Sequence, residues 1–299
     1  MKYFRKILLY CILLPLLCIA VARFCHHQTK GFRIAKVQNN LMDSGHDALN
    51  AEEIRWIRSL FAYKFRYLGR GHQSFVFLSD DDAHVIKIFN NCQQSNSAFF
   101  RMLKPIPWLG RWAERQARFC EENLRNTANS YRIALEEMPD KTALLFLHAR
   151  QTENLPPLTI VDPLNITHRL NANPLGFLIQ KKAKLAYPML EEWIQAQNLE
   201  AAKRALCKLL DLFIWKCRQG IADNDPLIRT NFGFIEEEAI QIDVGPLSKN
   251  PSIQDVATMQ KEIIRISTSL KNWLSEKCPE LCVFLDEQLQ ERLSLKDEK

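Results

Sequence analysis

"GIADNDPLIRTNFGFIEEEAIQIDVGPL", residues 220–247, is the stretch on which the reading of this chain turns. Asp223, Asn224, Asp225 and Asn231 stand ahead of two short apolar runs, Phe232 to Ile235 and Ala239 to Ile242. Short polar side chains bond to nearby backbone and favour turns, so a surface loop is the simplest account of them. The two apolar runs, joined across Glu236-Glu237-Glu238, predict a hairpin. Its arms would hold Asn231, just before the first, near Asp243, just after the second. A carboxylate at a strand end beside a glycine suits magnesium, and Asn231 can supply a second oxygen. Asp225 or Asp223 can accept a proton from a hydroxyl nucleophile.

Upstream, "LGRGHQSFVF" (68–77) carries Gly69 and Gly71 in G-x-G spacing, with Ser74 where a third glycine would stand and Val76 two residues on. Glycines let backbone amides approach phosphate oxygens closely. In "HVIKIF" (84–89), Lys87 sits inside an apolar strand. If solvent-facing it needs nothing; if buried it needs an anion, and a phosphate would serve, with a helix glutamate to orient the ammonium. Asp80-Asp81-Asp82 makes the polar turn of this second hairpin. A helix is predicted from about Trp108 to Met138, ended by Pro139. Of its acids, Glu122 and Glu136 are the candidates to pair with Lys87.

The remaining periodicity divides into strands and then helices. "TALLFLHA", "PLTIVDPL" and "LGFLIQKKA" read as strands. Leu206, Leu209, Leu210, Phe213, Ile214 and Cys217 form one helical stripe ending at Gly220, and Val256 to Trp273 form another. Asn50 with Glu53 predicts a capping box at a first short helix.

Composition narrows the function classes. The 299 residues allow one large domain or two lobes. The net charge of +6 is spread along the chain, so no nucleic-acid partner is expected. The nine cysteines show no CxxC or Cys/His zinc spacing, and those beyond the N-terminal segment read as buried free thiols. At the N-terminus, Lys2, Arg5 and Lys6 precede an uncharged run from Ile7 to Ala22. Its sixteen residues span roughly 24 Å, slightly short of a bilayer core. A single-pass membrane anchor through residues 7–25 is expected in preference to a signal peptide cleaved after Ala20-Val21-Ala22. Basic residues on both flanks leave its orientation open.

Taken in order, the segments resemble the protein-kinase-like superfamily: glycine-rich hairpin, strand lysine, hinge strand, helix, Asp…Asn loop, hairpin, Asp-x-Gly. The resemblance covers about Tyr67 to the C-terminus. It implies an α+β, two-lobed kinase-like fold behind an N-terminal transmembrane helix or signal segment. The β-rich N-lobe would be followed by a small α-helical C-lobe. The segments would be 1–25 anchor, 26–49 linker, 50–184 N-lobe with a helical insertion, and 185–299 C-lobe. It further implies ATP and Mg2+ as cofactors. Gly69, Gly71, Ser74, Val76 and Lys87 would hold phosphates, "FLIQKKA" adenine, and Asn231 and "DVG" Asp243 the metal. Asp225 or Asp223 would be catalytic.

Two departures stand out. The family's catalytic Asp lies five residues before its Asn, a place taken here by Pro226, and no His-Arg precedes it. No Ala-Pro-Glu follows "DVG". The expected function is therefore an atypical phosphotransferase on an unidentified hydroxyl acceptor, facing the cytosol where ATP is. The alternatives are a pseudokinase scaffold at the membrane, or an unrelated protein whose motifs match by chance.

Overall fold

The computed structural model describes residues 2–38, 40–42, 45–71, 73–90, 107–245 and 247–294. It opens with helix α1 (Lys2–Gln28), which carries Pro15 inside it. Among the described residues no helix is long and apolar enough to cross a membrane. The expected transmembrane helix is corrected accordingly, and so is the single-pass membrane localisation. The physical reason is length. The apolar run closes at Lys6 and Arg23, and its roughly 24 Å falls short of a hydrocarbon core of about 30 Å. The fold itself is mixed α/β around a large sheet.

The chain forms two compact units, Met1–Cys120 with His148–Leu178, and Glu121–Leu147 with Ile179–Lys299. In the first, helix α2 (Ala51–Leu60) starts at a complete capping box: Asn50 accepts from the amides of Glu52 and Glu53, and Glu53 reaches back to the Asn50 amide. Strands β1 (Phe65–Arg70), β2 (Ser74–Ser79) and β3 (His84–Phe89) form an antiparallel meander. Phe75 and Phe77 are fully buried, as period-two alternation requires. β5 (Leu158–Val161) joins β1 in parallel, and β6 (Thr167–Leu170) closes that edge. With β4 (Leu144–His148) and β7 (Phe177–Lys181), along which the chain passes between the units, the order is β4-β7-β3-β2-β1-β5-β6.

Phe32 and Asn40 pack on this sheet. Phe32 meets Phe75 edge-on with ring centres 5.2 Å apart. Asn40 donates to the carbonyls of Phe89 (2.5 Å) and Gly176 (3.0 Å) and accepts from the Gly176 amide (2.7 Å). A side chain at Gly176 would start 2.5 Å from the Asn40 carbonyl oxygen, so only glycine fits.

The second unit is mostly helical. Helix α3 (Pro107–Glu137) enters it from the first and is followed by the single turn α4 (Pro139–Thr142). Then come α5 (Ala186–Gln195), α6 (Leu199–Arg218), the turn α7 (Ile228–Asn231), α8 (Val256–Lys277) and α9 (Pro279–Ser294). The apolar stripes of α6 and α8 meet in one core with Leu190, Phe232 and Leu281. α6 begins at Asn198, which accepts from the Ala201 amide, and ends before Gly220, whose φ of +67° turns the chain. Beside these helices lie two small sheets. β8 (Lys184–Leu185), β10 (Phe232–Ile235) and β11 (Glu238–Gln241) make one, and β9 (Ile221–Asp223) pairs with β12 (Leu247–Lys249) in the other.

Candidate functional site

The loop between β9 and β10 and the hairpin behind it gather the acidic and amide residues of the opening stretch within the second unit. β10 and β11 pair in the register Phe232↔Gln241 to Ile235↔Glu238. Asn231 therefore ends up beside Ile242 and Asp243: its carbonyl accepts from their amides at 2.7 and 3.3 Å. The Asn231 side chain is buried, donates to the Asp225 carbonyl at 2.7 Å and accepts from the Thr230 hydroxyl at 2.8 Å. The Asp225 side chain is exposed. A Cβ on Gly245 would stand 3.9 Å from the Asp225 Cβ, so Asp225 lies against the Asp-Val-Gly turn. Asp243 is half-buried, and the Gly245 amide is 3.5 Å from its Oδ1. Asp225, Asn231 and Asp243 are thus brought together.

Asp223 is placed differently. It is 3% exposed, and Oδ2 accepts from Lys216 Nζ (2.7 Å) and Gln241 Nε2 (2.8 Å). Oδ1 accepts from the Asp225 amide at 3.0 Å, and its carbonyl accepts from Arg265 Nη2 at 3.0 Å. Gln241, fully buried, accepts from Lys216 at 2.7 Å through Oε1 and donates to the Asp243 carbonyl at 3.0 Å. The Lys216 ammonium also lies 5.3 Å from the centre of the Phe232 ring. Burial pulls the Lys216 pKa down, against the pull of Asp223 upward.

Two further side chains approach Asp243. Tyr131 on α3 is buried, and burial together with the Asp243 charge raises its phenol well above the ordinary range. Gln180 on β7 donates to the carbonyls of Thr142 (3.0 Å) and Ile242 (2.9 Å), holding the residue before Asp243.

The glycine-rich hairpin and the strand lysine belong to the first unit. Gly69 faces Val76 across a bulge between Tyr67 and Gly69, and the space beside Gly69 is open. The Gly71 amide donates to the Ser74 carbonyl at 2.9 Å, which closes the turn. Ser74 is buried. Lys87 faces Val76 in the next strand and is 5% exposed, a buried cation in an apolar sheet. Glu122 and Glu136 both lie on exposed positions of α3 in the second unit.

Sequence reasoning missed Lys216, Gln241, Arg265 and Tyr131. A signal existed for Lys216, which follows Leu212 and Phe213 at helical spacing and so falls on the buried face. For Gln241, in the apolar run "AIQI", the polar interruption was the only sign. Arg265 and Tyr131 carry no local signal, because their roles are contacts across α8 and α3.

As a metal site the donor set is hard. Among the described residues no three His, Cys, Asp or Glu side chains gather to hold a metal by themselves. Asp243 and Asn231 offer oxygen, which suits magnesium completed by phosphate and water.

The sequence matches no protein-family model. No curated protein matches it either. Solved structures overlap it loosely. A structure of the bifunctional kinase-methyltransferase WbdD is 16% identical over 74% of this chain and 43% of that one, with a TM-score of 0.36. A complex of WbdD with the kinase inhibitor LY294002 is 14% identical over 76% and 45%, with a TM-score of 0.37. A second crystal structure of WbdD is 16% identical over 75% and 44%, with a TM-score of 0.36. This chain spans less than half the length of those chains. Overlaps this loose carry no argument about fold, substrate or mechanism.

Proposed function

We propose that this chain is a kinase-like phosphotransferase that uses ATP and magnesium and acts on a hydroxyl acceptor. One observation carries the reading. Asp225, Asn231 and Asp243 converge where a loop meets a two-stranded hairpin, with an exposed carboxylate beside a half-buried one. Asp243 and the free lone pair of Asn231 Oδ1 would hold the metal. Asp225 points to solvent and, among the described residues, has no side-chain partner, so it is open to an incoming hydroxyl. Asp223 cannot share that task, because Lys216 and Gln241 occupy its carboxylate. In the other unit, Gly69 has open space beside its backbone and Lys87 is a buried cation; with Gly71 and Ser74, which close the same turn, they would face phosphate. When bound, magnesium and ATP would supply a transferable phosphoryl group and neutralise its charge.

Positioning and charge would do most of the work. Asp225 would orient the acceptor hydroxyl and take its proton as the oxygen attacks. The amide–carbonyl bond between Asn231 and Asp225 keeps that carboxylate a fixed distance from the metal side of the loop.

A second reading is a pseudokinase that binds nucleotide without transferring phosphate. It is favoured by the Asn231 side chain, both ends of which already bond within the loop. One experiment separates the two. Thermal stability of the full chain is measured with ATP, with and without magnesium, beside Asp243→Asn and Asp225→Ala. At 100-fold over Kd, binding stabilises by about 2.7 kcal/mol. A magnesium-dependent shift that Asp243→Asn loses supports the site. ATP turnover lost in Asp225→Ala, with the shift retained, supports transfer. A shift without turnover in the wild type supports the pseudokinase. No shift at all rules out both.

A further inference from the structure

A buried lysine is costly, and a leucine or methionine would fill the same space in α6 without that cost. Lys216 is only 2% exposed, Asp223 3%, and Gln241 fully enclosed. What these three achieve together is polarity. A glutamine amide can sit either way round, and its neighbours choose. Lys216 has only donors, so it faces Gln241 Oε1, at 2.7 Å. That choice turns Nε2 and its two hydrogens toward Asp223 Oδ2 and the Asp243 carbonyl, at 2.8 and 3.0 Å. The remaining Asp223 oxygen accepts from the Asp225 amide. One ammonium thereby sets the direction of a hydrogen-bond chain. The chain ends at Asp225 on one side and Asp243 on the other.

We propose that Lys216 is a positioning residue for the metal and acceptor side chains, acting through the orientation of the Gln241 amide. This rests on the phosphotransferase reading above. Without the lysine, Gln241 loses the donor on its Oε1, and either orientation leaves a buried acceptor or donor mismatched. The Asp243 carbonyl then loses this donor, while the Asn231 carbonyl still holds the Asp243 amide, so the residue carrying that carboxylate is held by one bond fewer. Neither Lys216 nor Gln241 need touch substrate.

The test measures magnesium affinity at fixed ATP, ATP affinity in EDTA, and thermal stability, all on the full chain. Lys216→Met strands Asp223 and will destabilise the fold, so two further variants separate structure from positioning. Gln241→Met leaves the Lys216–Asp223 pair in place. The double variant Lys216→Met/Asp223→Asn removes both charges, so neither is left unpaired. In that double variant the amide nitrogen introduced at position 223 competes with Gln241 Nε2, donor against donor, so the tether to Asp243 stays broken.

The expected result is that Gln241→Met and the double variant weaken magnesium affinity by about tenfold or more, the range for lost supports of a metal ligand. ATP affinity in EDTA stays at the wild-type value, and the double variant melts above Lys216→Met, which leaves the Asp223 charge unpaired. Wild-type magnesium affinity in either variant overturns the proposal and leaves Lys216 a stability element. If wild type itself shows no magnesium-dependent ATP binding, the phosphotransferase reading fails and the positioning role falls with it.

Discussion

Asn231 donates its side-chain amide to the main-chain carbonyl of Asp225 at 2.7 Å, while its own carbonyl accepts from the amides of Ile242 and Asp243. One buried residue thereby ties the loop on one side of the hairpin to the Asp-Val-Gly turn on the other. Replacing it with alanine removes one of two donors to the Asp225 carbonyl; the Leu227 amide, at 2.9 Å, remains. A loss of about 1–3 kcal/mol in urea unfolding is expected for Asn231→Ala. Asn231→Asp should lose more, because a carboxylate oxygen would face the carbonyl. Equal stabilities for the two variants would count against this tie.

Lys87 is the second test of the nucleotide reading. It is buried in β3, so a methionine of similar length keeps the volume of the side chain. If its ammonium meets a phosphate, Lys87→Met removes a charge-assisted bond of about 1.5–3 kcal/mol, which is roughly tenfold or more in ATP affinity. Titration calorimetry reads this directly. Unchanged ATP affinity would remove Lys87 from the site.

His148 makes the first unit sensitive to acid. Its Nδ1–H donates to the Leu175 carbonyl at 2.5 Å, and Nε2 accepts from the Thr152 hydroxyl at 2.9 Å. The ring stacks on Phe177 with centres 4.8 Å apart. Burial lowers its pKa, opposed by the Leu175 bond and by Asp47. The fold therefore favours the neutral ring, and between the lowered pKa and the ordinary value the unfolded chain binds more protons. The stability His148 contributes is complete above about pH 6.5 and is lost as the pH falls below it. A melting-temperature profile from pH 8 to 4 should steepen below that point, and His148→Gln should flatten it.

Cys217 tests the core of the second unit. It is buried on α6, and burial pushes its thiol up to about 11. Cys18 and Cys25 are exposed, while Cys207, Cys278 and Cys282 are partly covered. The expectation of buried thiols thus holds fully for Cys217 among the described cysteines. In native protein at pH 8, a thiol reagent should label Cys18 and Cys25 and spare Cys217 until denaturant is added. The raised pKa favours the neutral thiol in the fold, so the stability linked to Cys217 is lost as the pH climbs from about 9 to 11. Cys217→Ala should remove that part of the alkaline transition.

Much of the local structure was legible because its causes are local. The capping residues Asn50 and Glu53, the stripe of α6, the glycine that ends it and the hairpin from Phe232 to Gln241 all follow from spacing and residue type. β6 was not legible: Thr167-His168-Arg169-Leu170 has no apolar alternation, and pairing with β5 makes it a strand. The N-terminal run was read as a membrane anchor from its hydropathy, and among the described residues no helix proved long and apolar enough to cross a membrane.

By itself the sequence determined which residues carry chemical capacity: a run of carboxylates and amides, two glycines, and a lysine in a strand. Only the tertiary structure decided how they divide the labour. Asp223 and Asp225 are two residues apart and chemically identical. One is sealed against Lys216 and Gln241 while the other faces solvent. That distinction depends on a lysine seven residues upstream on a helix and a glutamine eighteen residues downstream on a strand. Hydrogen bonds have direction and burial has a cost, so the same side chain becomes a structural anion in one place and an available base in the other.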